Sequence, residues 1–133
     1  FMGICLGFQI LFDQSSEDGG VECLSIIDGN VEDFRPNIKR EMKVPHMGWN
    51  TVSQQKECSL WNNISDDTFF YFVHSYYGRA KIKKNVCSVS SYEINFTSSV
   101  IKDNIFACQF HPEKSSTDGL QLISNFISWA DSQ

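Results

Sequence analysis

The sequence has no excess of positive charge: 11 Lys and Arg stand against 16 Asp and Glu, a formal net charge of −5. A protein that grips a phosphate backbone normally carries a basic face, so the balance argues against nucleic-acid binding. The densest basic run, Lys81, Lys83 and Lys84, reads as a solvated edge or turn. No apolar run approaches the ~20 residues that span a bilayer. The longest, Phe1 to Phe12, is broken at Gln9, and it lacks the basic flank and small-residue cleavage site of a signal peptide. Cysteine pairs at C-x-x-C spacing are missing too. Cys5, Cys23, Cys58, Cys87 and Cys108 are an odd set, which fits a reduced, cytoplasmic protein rather than a disulfide scaffold. The sequons Asn63-Ile64-Ser65 and Asn95-Phe96-Thr97 then read as chance matches. His46, His74 and His111 show no zinc-type spacing with these cysteines or with each other, so neither a metal nor another cofactor is expected. Internal repeats, low-complexity segments and interdomain linkers are likewise missing.

What remains is a chain of 133 residues, 41% of them apolar, enough for one domain with a real core. It opens on Phe1 in the middle of an apolar strand-like run, which raises the expectation that further N-terminal sequence precedes it. Phe1 to Ile4 reads as the end of a buried strand and Leu6 to about Phe12 as a helix, with Gly19-Gly20 as a stop signal. Between Val21 and Phe34 the apolar residues around Asp28-Gly29 predict two short strands and a turn, and Arg35 to Met42 a loop. Phe69-Phe70-Tyr71-Phe72-Val73 reads as a strand covered on both faces. Asn95–Ile101 and Ile105–Phe110 form a hairpin by pattern. A final helix follows Ser116 and Thr117, candidate N-caps, with Leu120, Ile123, Ile127 and Ala130 on one face. The sum is α/β with a β-rich middle.

Two short segments carry chemistry. In Gly3-Ile4-Cys5-Leu6-Gly7 a potential nucleophile sits between glycines two residues away on either side, as on a tight strand-to-helix turn. There the helix start favours thiolate, and the following amide, that of Leu6, faces a developing oxyanion. The plain alternative is a small buried cysteine at a glycine-flanked strand end. In Gln109-Phe110-His111-Pro112-Glu113 a base at a strand end is followed by an acceptor able to orient it. The plain alternative here is an exposed turn with an incidental histidine.

Together, Gly3-Ile4-Cys5-Leu6-Gly7-Phe8-Gln9 and Gln109-Phe110-His111-Pro112-Glu113-Lys114-Ser115 resemble the paired signatures of the class I, triad-type glutamine amidotransferases. Lys43-Val44-Pro45-His46-Met47-Gly48-Trp49-Asn50 and Tyr71-Phe72-Val73-His74-Ser75-Tyr76 look like marks of one subfamily, the glutaminase subunit of imidazole glycerol phosphate synthase in histidine biosynthesis. The resemblance implies a flavodoxin-like open sheet with helices on both faces and a β-rich insertion, residues 1–133 being the C-terminal portion of one such domain. It implies Cys5 as nucleophile towards glutamine, His111 as proton carrier, Glu113 as its orienting group and the Leu6 amide as one oxyanion donor. Gln9 and the backbone around Ser75 and Tyr76 resemble the residues that hold the substrate. The implied partner is a (βα)8-barrel cyclase subunit that receives the ammonia. Pro45, Gly48, Trp49 and Asn50, with Lys114 nearby, look like the face towards it.

The pattern also departs from the family. The family domain begins well before the nucleophile, with strands of the sheet and a glycine-rich loop that gives the second oxyanion donor; nothing in 1–133 fills that part. Without it the oxyanion hole would be half built and the sheet edge at Phe1–Ile4 uncovered. In Leu24-Ser25-Ile26-Ile27 the pattern leads one to expect glycine at Ser25. Two other readings stand beside the first: a glutaminase feeding a different synthase, such as one acting on a surface sugar, and a non-catalytic partner-binding module.

Overall fold

The computed structural model describes residues 1–133. Its frame is a ten-stranded mixed sheet with few helices. Strand β1 (Met2–Ile4) runs parallel to β10 (Ile105–Cys108), with Met2 opposite Phe106 and Ile4 opposite Cys108. β10 turns back antiparallel on β9 (Ile94–Lys102), the hairpin predicted from the sequence, with Asp103 at φ 52° in the turn. From β9 the sheet continues one way through β7 (Tyr76–Ala80), β4 (Gly29–Asp33), β2 (Gln14–Ser15) and β3 (Val21–Glu22). In the other direction it passes through β8 (Val86–Tyr92) and β5 (His46–Gln54) to β6 (Thr68–His74). No helix is long and apolar enough to cross a membrane.

Two apolar clusters hold these layers. The larger is aromatic, with Phe34, Phe70, Phe72, Tyr77, Phe96, Phe106 and Phe110 buried together under Leu122 of the last helix. The smaller joins Phe8, Leu11 and Phe12 to Ile27, Val31, Val100 and Ala107. Burying each large side chain contributes roughly 1.5–3 kcal/mol, so the aromatic cluster dominates the stability of the sheet.

Several sequence expectations are corrected. Helix α1 covers only Leu6–Gln9, not Leu6 to Phe12. The carbonyls that a longer helix would have used are taken by the next segment: Leu24 N–H donates to Ile10 O, Ser25 N–H to Phe12 O, and both Ile26 and Ile27 amides to Leu11 O. Capture of those acceptors ends the helix well before Gly19-Gly20. Of the two strands expected around Asp28-Gly29, the first lies earlier, at Val21–Glu22. His46–Asn50 starts the long strand β5. Strand β6 is not covered on both faces: Phe70 and Phe72 are fully buried, whereas Phe69 is 58% exposed.

The last helix, α2 (Ser116–Asp131), is present but turned from its predicted phase. Gly119, Leu122 and Asn125 are buried, Phe126 and Trp129 pack on the core, and Leu120 and Ile127 face outward. The phase is set at Gly119, where any Cβ would overlap the carbonyl oxygen of Pro112. Only a glycine lets the helix lie this close to the Pro112–Lys114 turn. Neither Ser116 nor Thr117 is the cap; the helix is preceded by Ser115, whose hydroxyl donates to His111 O at 2.5 Å and accepts from Tyr71 N–H at 2.9 Å.

Candidate active site

Cys5 sits at the joint of β1 and α1 with φ 55° and ψ −103°, a backbone conformation that L-residues rarely adopt. Such a residue is held at a cost of order 1–3 kcal/mol and persists only where its neighbours over-determine it. Here Cys5 N–H donates to Cys108 O at 2.9 Å, and Cys5 O accepts from the amides of Phe8 and Gln9, both at 3.1 Å. Gly3 is required, since a Cβ there would lie 2.5 Å from Gly7 O. Gly7 itself has open space around it, so its contribution is the approach of its carbonyl and not the lack of a side chain.

The sulfur of Cys5 lies between three groups. Its thiol points at Val73 O on β6 at 3.9 Å, and it accepts a hydrogen bond from Gln109 Nε2 at 3.6 Å. Burial pushes the thiol pKa up, while the Leu6 amide, the Gln109 amide and the Lys114 charge pull the other way and Glu113 adds to the rise. Leu6 carries its side chain outward, leaving its amide against the sulfur.

His111 follows β10 by three residues. Its N–H donates to Tyr71 O at 2.9 Å, and Ser115 holds its carbonyl. Nδ1 pairs with Glu113 Oε2 at 2.9 Å, across Pro112, in the pairing expected from the sequence. Nε2 is buried and has no partner within the chain. His111 and Cys5 share no hydrogen bond, but both are registered on one strand: His111 on the carbonyl of Tyr71 and Cys5 on that of Val73. Two residues of a strand span roughly 7 Å.

Gln9 is buried. Its Nε2 donates to Tyr76 O at 3.1 Å and to Gln109 Oε1 at 3.0 Å, so both amide hydrogens are used inside the protein. The carbonyls of Ser75 and Tyr76, expected near the substrate, are also occupied, the first by Phe34 N–H at 3.1 Å and the second by Gln9 and His74. Gln109 was missed as a site residue. Its place two positions before His111, on the same strand end, is the signal that would have found it, since alternation puts both side chains on one face.

Behind Tyr76 lies a buried histidine pair. His74 Nδ1 lies 2.7 Å from Tyr76 O, which can only accept, so that nitrogen carries the proton. Its Nε2 then accepts from His46 Nδ1 at 2.9 Å, and His46 Nε2 accepts from Asn50 Nδ2 at 3.3 Å. Both rings are therefore neutral. Desolvation pushes His46 down to about 4 and His74 to about 3. His46 and His74 are thus hydrogen-bonded structural residues. No three His, Cys, Asp or Glu side chains come together in a group able to hold a metal ion.

On β5, Met47 and Trp49 point outward at 61% and 52% exposure, with Trp49 edge-on to Tyr71 at 6.0 Å. Phe69 lies on the paired strand opposite Thr51, which extends the same apolar face. Pro45 and Gly48 are half-buried beside it, and Lys114 is exposed. Asn50, expected on this face, also donates to Ser91 O at 2.8 Å, so it fixes the strand rather than projecting from it. Met47 was not singled out, although strict alternation with His46 predicts its outward position. A cavity of about 670 Å³ lies among Lys56, Arg79, Lys83 and Lys84, and none of Cys5, His111 or Glu113 lines it. A hollow of about 110 Å³ adjoins the nucleophile turn, lined among others by Leu6, Gln9 and Cys23.

Residues 1–129 match the family described as glutamine amidotransferase class-I. The imidazole glycerol phosphate synthase subunit HisH of Nitrosococcus oceani is 50% identical over 129 residues, covering 97% of this chain and 61% of that protein. The subunit of the same name from Nitrosospira multiformis is 50% identical over 134 residues, covering 97% and 62%. The chain thus spans about six-tenths of the length of the curated relatives it matches. Among solved structures, the glutaminase domain of Trypanosoma brucei CTPS with bound acivicin gives a TM-score of 0.67 at 18% identity, covering 99% of this chain and 60% of that one. A glutamine amidotransferase of Thermotoga maritima gives 0.57 at 16% identity, covering 99% and 48%. At these identities the likeness is one of fold: a mixed α/β sheet with few helices.

Proposed function

This chain belongs to the class-I glutamine amidotransferase family, and from that premise we propose that it hydrolyses glutamine to glutamate and ammonia. The observation that carries the reading is Cys5, held at φ 55° on the strand-to-helix turn with the Leu6 amide against its sulfur. In this reading His111 Nε2 takes the proton of the Cys5 thiol, and the thiolate attacks the side-chain amide carbon of glutamine. The Leu6 N–H donates to the oxyanion that forms, and His111 protonates the departing ammonia to leave a glutamyl thioester. His111 then takes a proton from water, whose oxygen attacks the thioester and releases glutamate. Glu113, 2.9 Å from Nδ1, keeps that nitrogen protonated and leaves Nε2 for the transfers. The unpartnered Nε2 of His111, and the hold of His111 and Cys5 on the Tyr71 and Val73 carbonyls of β6, support this assignment. Contacts of this kind are often loose before substrate binds. Gln9, Ser75 and Tyr76 border the substrate, their inward hydrogen bonds fixing its walls. Residues 1–133 form the C-terminal portion of the domain.

We further infer that the ammonia passes to a (βα)8-barrel cyclase subunit in histidine biosynthesis, with both subunits in the cytoplasm. Relatives at 50% identity are named as subunits of imidazole glycerol phosphate synthase. The exposed face of Met47 and Trp49, with Pro45 and Gly48 half-buried beside it, Asn50 bracing the strand and Lys114 nearby, is the side offered to that partner. The test is glutamate released from glutamine by the chain, alone and with such a cyclase, beside Cys5→Ala, His111→Ala and Glu113→Gln. Cys5-dependent release that rises with the partner is the expected result, and Glu113→Gln should cost less than His111→Ala. Release that survives Cys5→Ala rejects the nucleophile. No release, together with a Cys5 inert to a glutamine-like electrophile, leaves a binding module instead.

A further inference from the structure

Of the five free cysteines, Cys58 and Cys87 lie together, their sulfurs 3.9 Å apart. They play no part in the glutaminase reading. Cys87 is fully buried in β8, where its carbonyl accepts from Gln55 N–H at 2.9 Å. Cys58 is half-buried just before the turn Ser59–Trp61, on the wall of a surface hollow of about 480 Å³ that it shares with Gln54, Glu57, Trp61 and Asn62. Both sides of the pair are held. The strand fixes one, and Asn125 of α2 fixes the other by donating to Leu60 O at 2.9 Å and Asn62 O at 2.7 Å.

The surroundings of the two thiols differ. The contact with Cys87 pulls the Cys58 pKa down, and the amides of Leu60 and Trp61 and the charge of Lys56 act the same way against the opposing effect of burial. Cys87 is held in the protonated form by its contact with Cys58 and by burial. Trp61 Nε1–H is buried nearby without an acceptor. One thiol thus lines a surface hollow, and the other is sheltered behind it. That is the arrangement of an attacking and a resolving cysteine.

We propose that Cys58 and Cys87 are a peroxide-responsive dithiol, in which Cys58 is oxidised first and Cys87 closes a reversible disulfide. The Cys58 thiolate attacks one oxygen of a hydroperoxide; the O–O bond breaks and hydroxide (or alkoxide) leaves, giving a sulfenic acid. The Cys87 sulfur then attacks the Cys58 sulfur. The S–O bond breaks, and the Cys87 proton goes to the departing hydroxide as water. With hydrogen peroxide, two thiols are oxidised and one peroxide is reduced to two waters. Closing the bond needs an approach of about 2 Å, to the usual S–S length. It would join residues 29 apart in sequence, linking the segment that carries α2's anchor to β8.

The test uses the whole chain carrying Cys5→Ala, which silences the other reactive thiol. It is treated with stoichiometric hydrogen peroxide, alkylated, and mapped by peptide mass spectrometry. The expected product is a Cys58–Cys87 linked pair, lighter by two hydrogens and reversed by dithiothreitol. The melting temperature should rise by about 5–10 °C. Adding Cys87→Ala should stop the reaction at a Cys58 sulfenic acid that dimedone captures, and adding Cys58→Ala should leave Cys87 unoxidised at the same dose. Both thiols remaining alkylatable after peroxide overturns the proposal, as does capture of dimedone at Cys87 first. If the Cys87→Ala chain does not fold, presence or absence of the linked pair decides alone. None of these outcomes depends on glutamine turnover.

Discussion

Gln109 Nε2 donates to Cys5 Sγ at 3.6 Å, so the candidate nucleophile has an amide rather than an imidazole as its hydrogen-bond partner. Gln109 is in turn aimed by Gln9, which donates to its Oε1 at 3.0 Å. A neutral donor of this kind favours the thiolate without supplying a counter-charge, offsetting part of the burial that raises the thiol.

Gln109→Leu should therefore slow both alkylation of Cys5 and glutamine turnover by about 10-fold, the worth of one hydrogen bond to a charged group. Iodoacetamide kinetics against pH would check this. An unchanged alkylation profile would remove Gln109 from the site.

A second prediction concerns Gly119, far from Cys5 in sequence and on a different element. Because a Cβ there would overlap Pro112 O, Gly119→Ala must push α2 away from the turn that carries His111 and Glu113. Overpacking of this kind costs about 1–3 kcal/mol. Turnover should fall at least ~10-fold while Cys5 still alkylates at the normal rate, since displacement of a base by about 1 Å is enough to cost that much. Equal loss of both would show that the helix supports the whole site and not His111 alone.

The buried pair His46 and His74 sets a pH dependence of stability. Each ring is neutral when folded, with its pKa pushed from 6.5 to about 4 and about 3, whereas the unfolded chain protonates near 6.5. A base with a depressed folded pKa stabilises the fold above its unfolded pKa, and that contribution is lost as pH falls below 6.5 towards the folded values. Between pH 7 and 5.5 the two rings together should remove roughly 2 kcal/mol. Urea midpoints over this range would measure it. The drop should vanish in the double variant His46→Phe/His74→Leu, and if it persists there the loss belongs to other groups.

Ser25 offers a gain. The family resemblance leads one to expect glycine there, and Ser25 has φ 54°, in the left-handed region. Ser25→Gly relieves a strain of about 1–2 kcal/mol against a smaller entropic loss in the unfolded chain, so a net gain of about 0.5–1 kcal/mol is expected. Ser25→Val should lose stability instead. Thermal melts of the two variants would show opposite shifts, and shifts of the same sign would mean that the turn is not strained.

The sequence by itself determined the local signals: Gly3-Ile4-Cys5-Leu6-Gly7 as a turn, His111-Pro112-Glu113 as a paired unit, and the strand runs at Phe69–Val73, Asn95–Ile101 and Ile105–Phe110. These are written in short spans because they rest on backbone sterics and on spacings of two or three residues. Tertiary structure decided what those spans meet. The helix after Cys5 ends at Gln9 because a segment some fifteen residues on takes the carbonyls of Ile10, Leu11 and Phe12. The phase of α2 follows from one glycine against Pro112, not from its own apolar stripe. Gln109 becomes a neighbour of Cys5, and Cys58 of Cys87, only when β1 pairs with β10 and β5 with β8. Such contacts join residues about 30 to 100 apart in sequence. No local pattern encodes that distance; the packing of the sheet does.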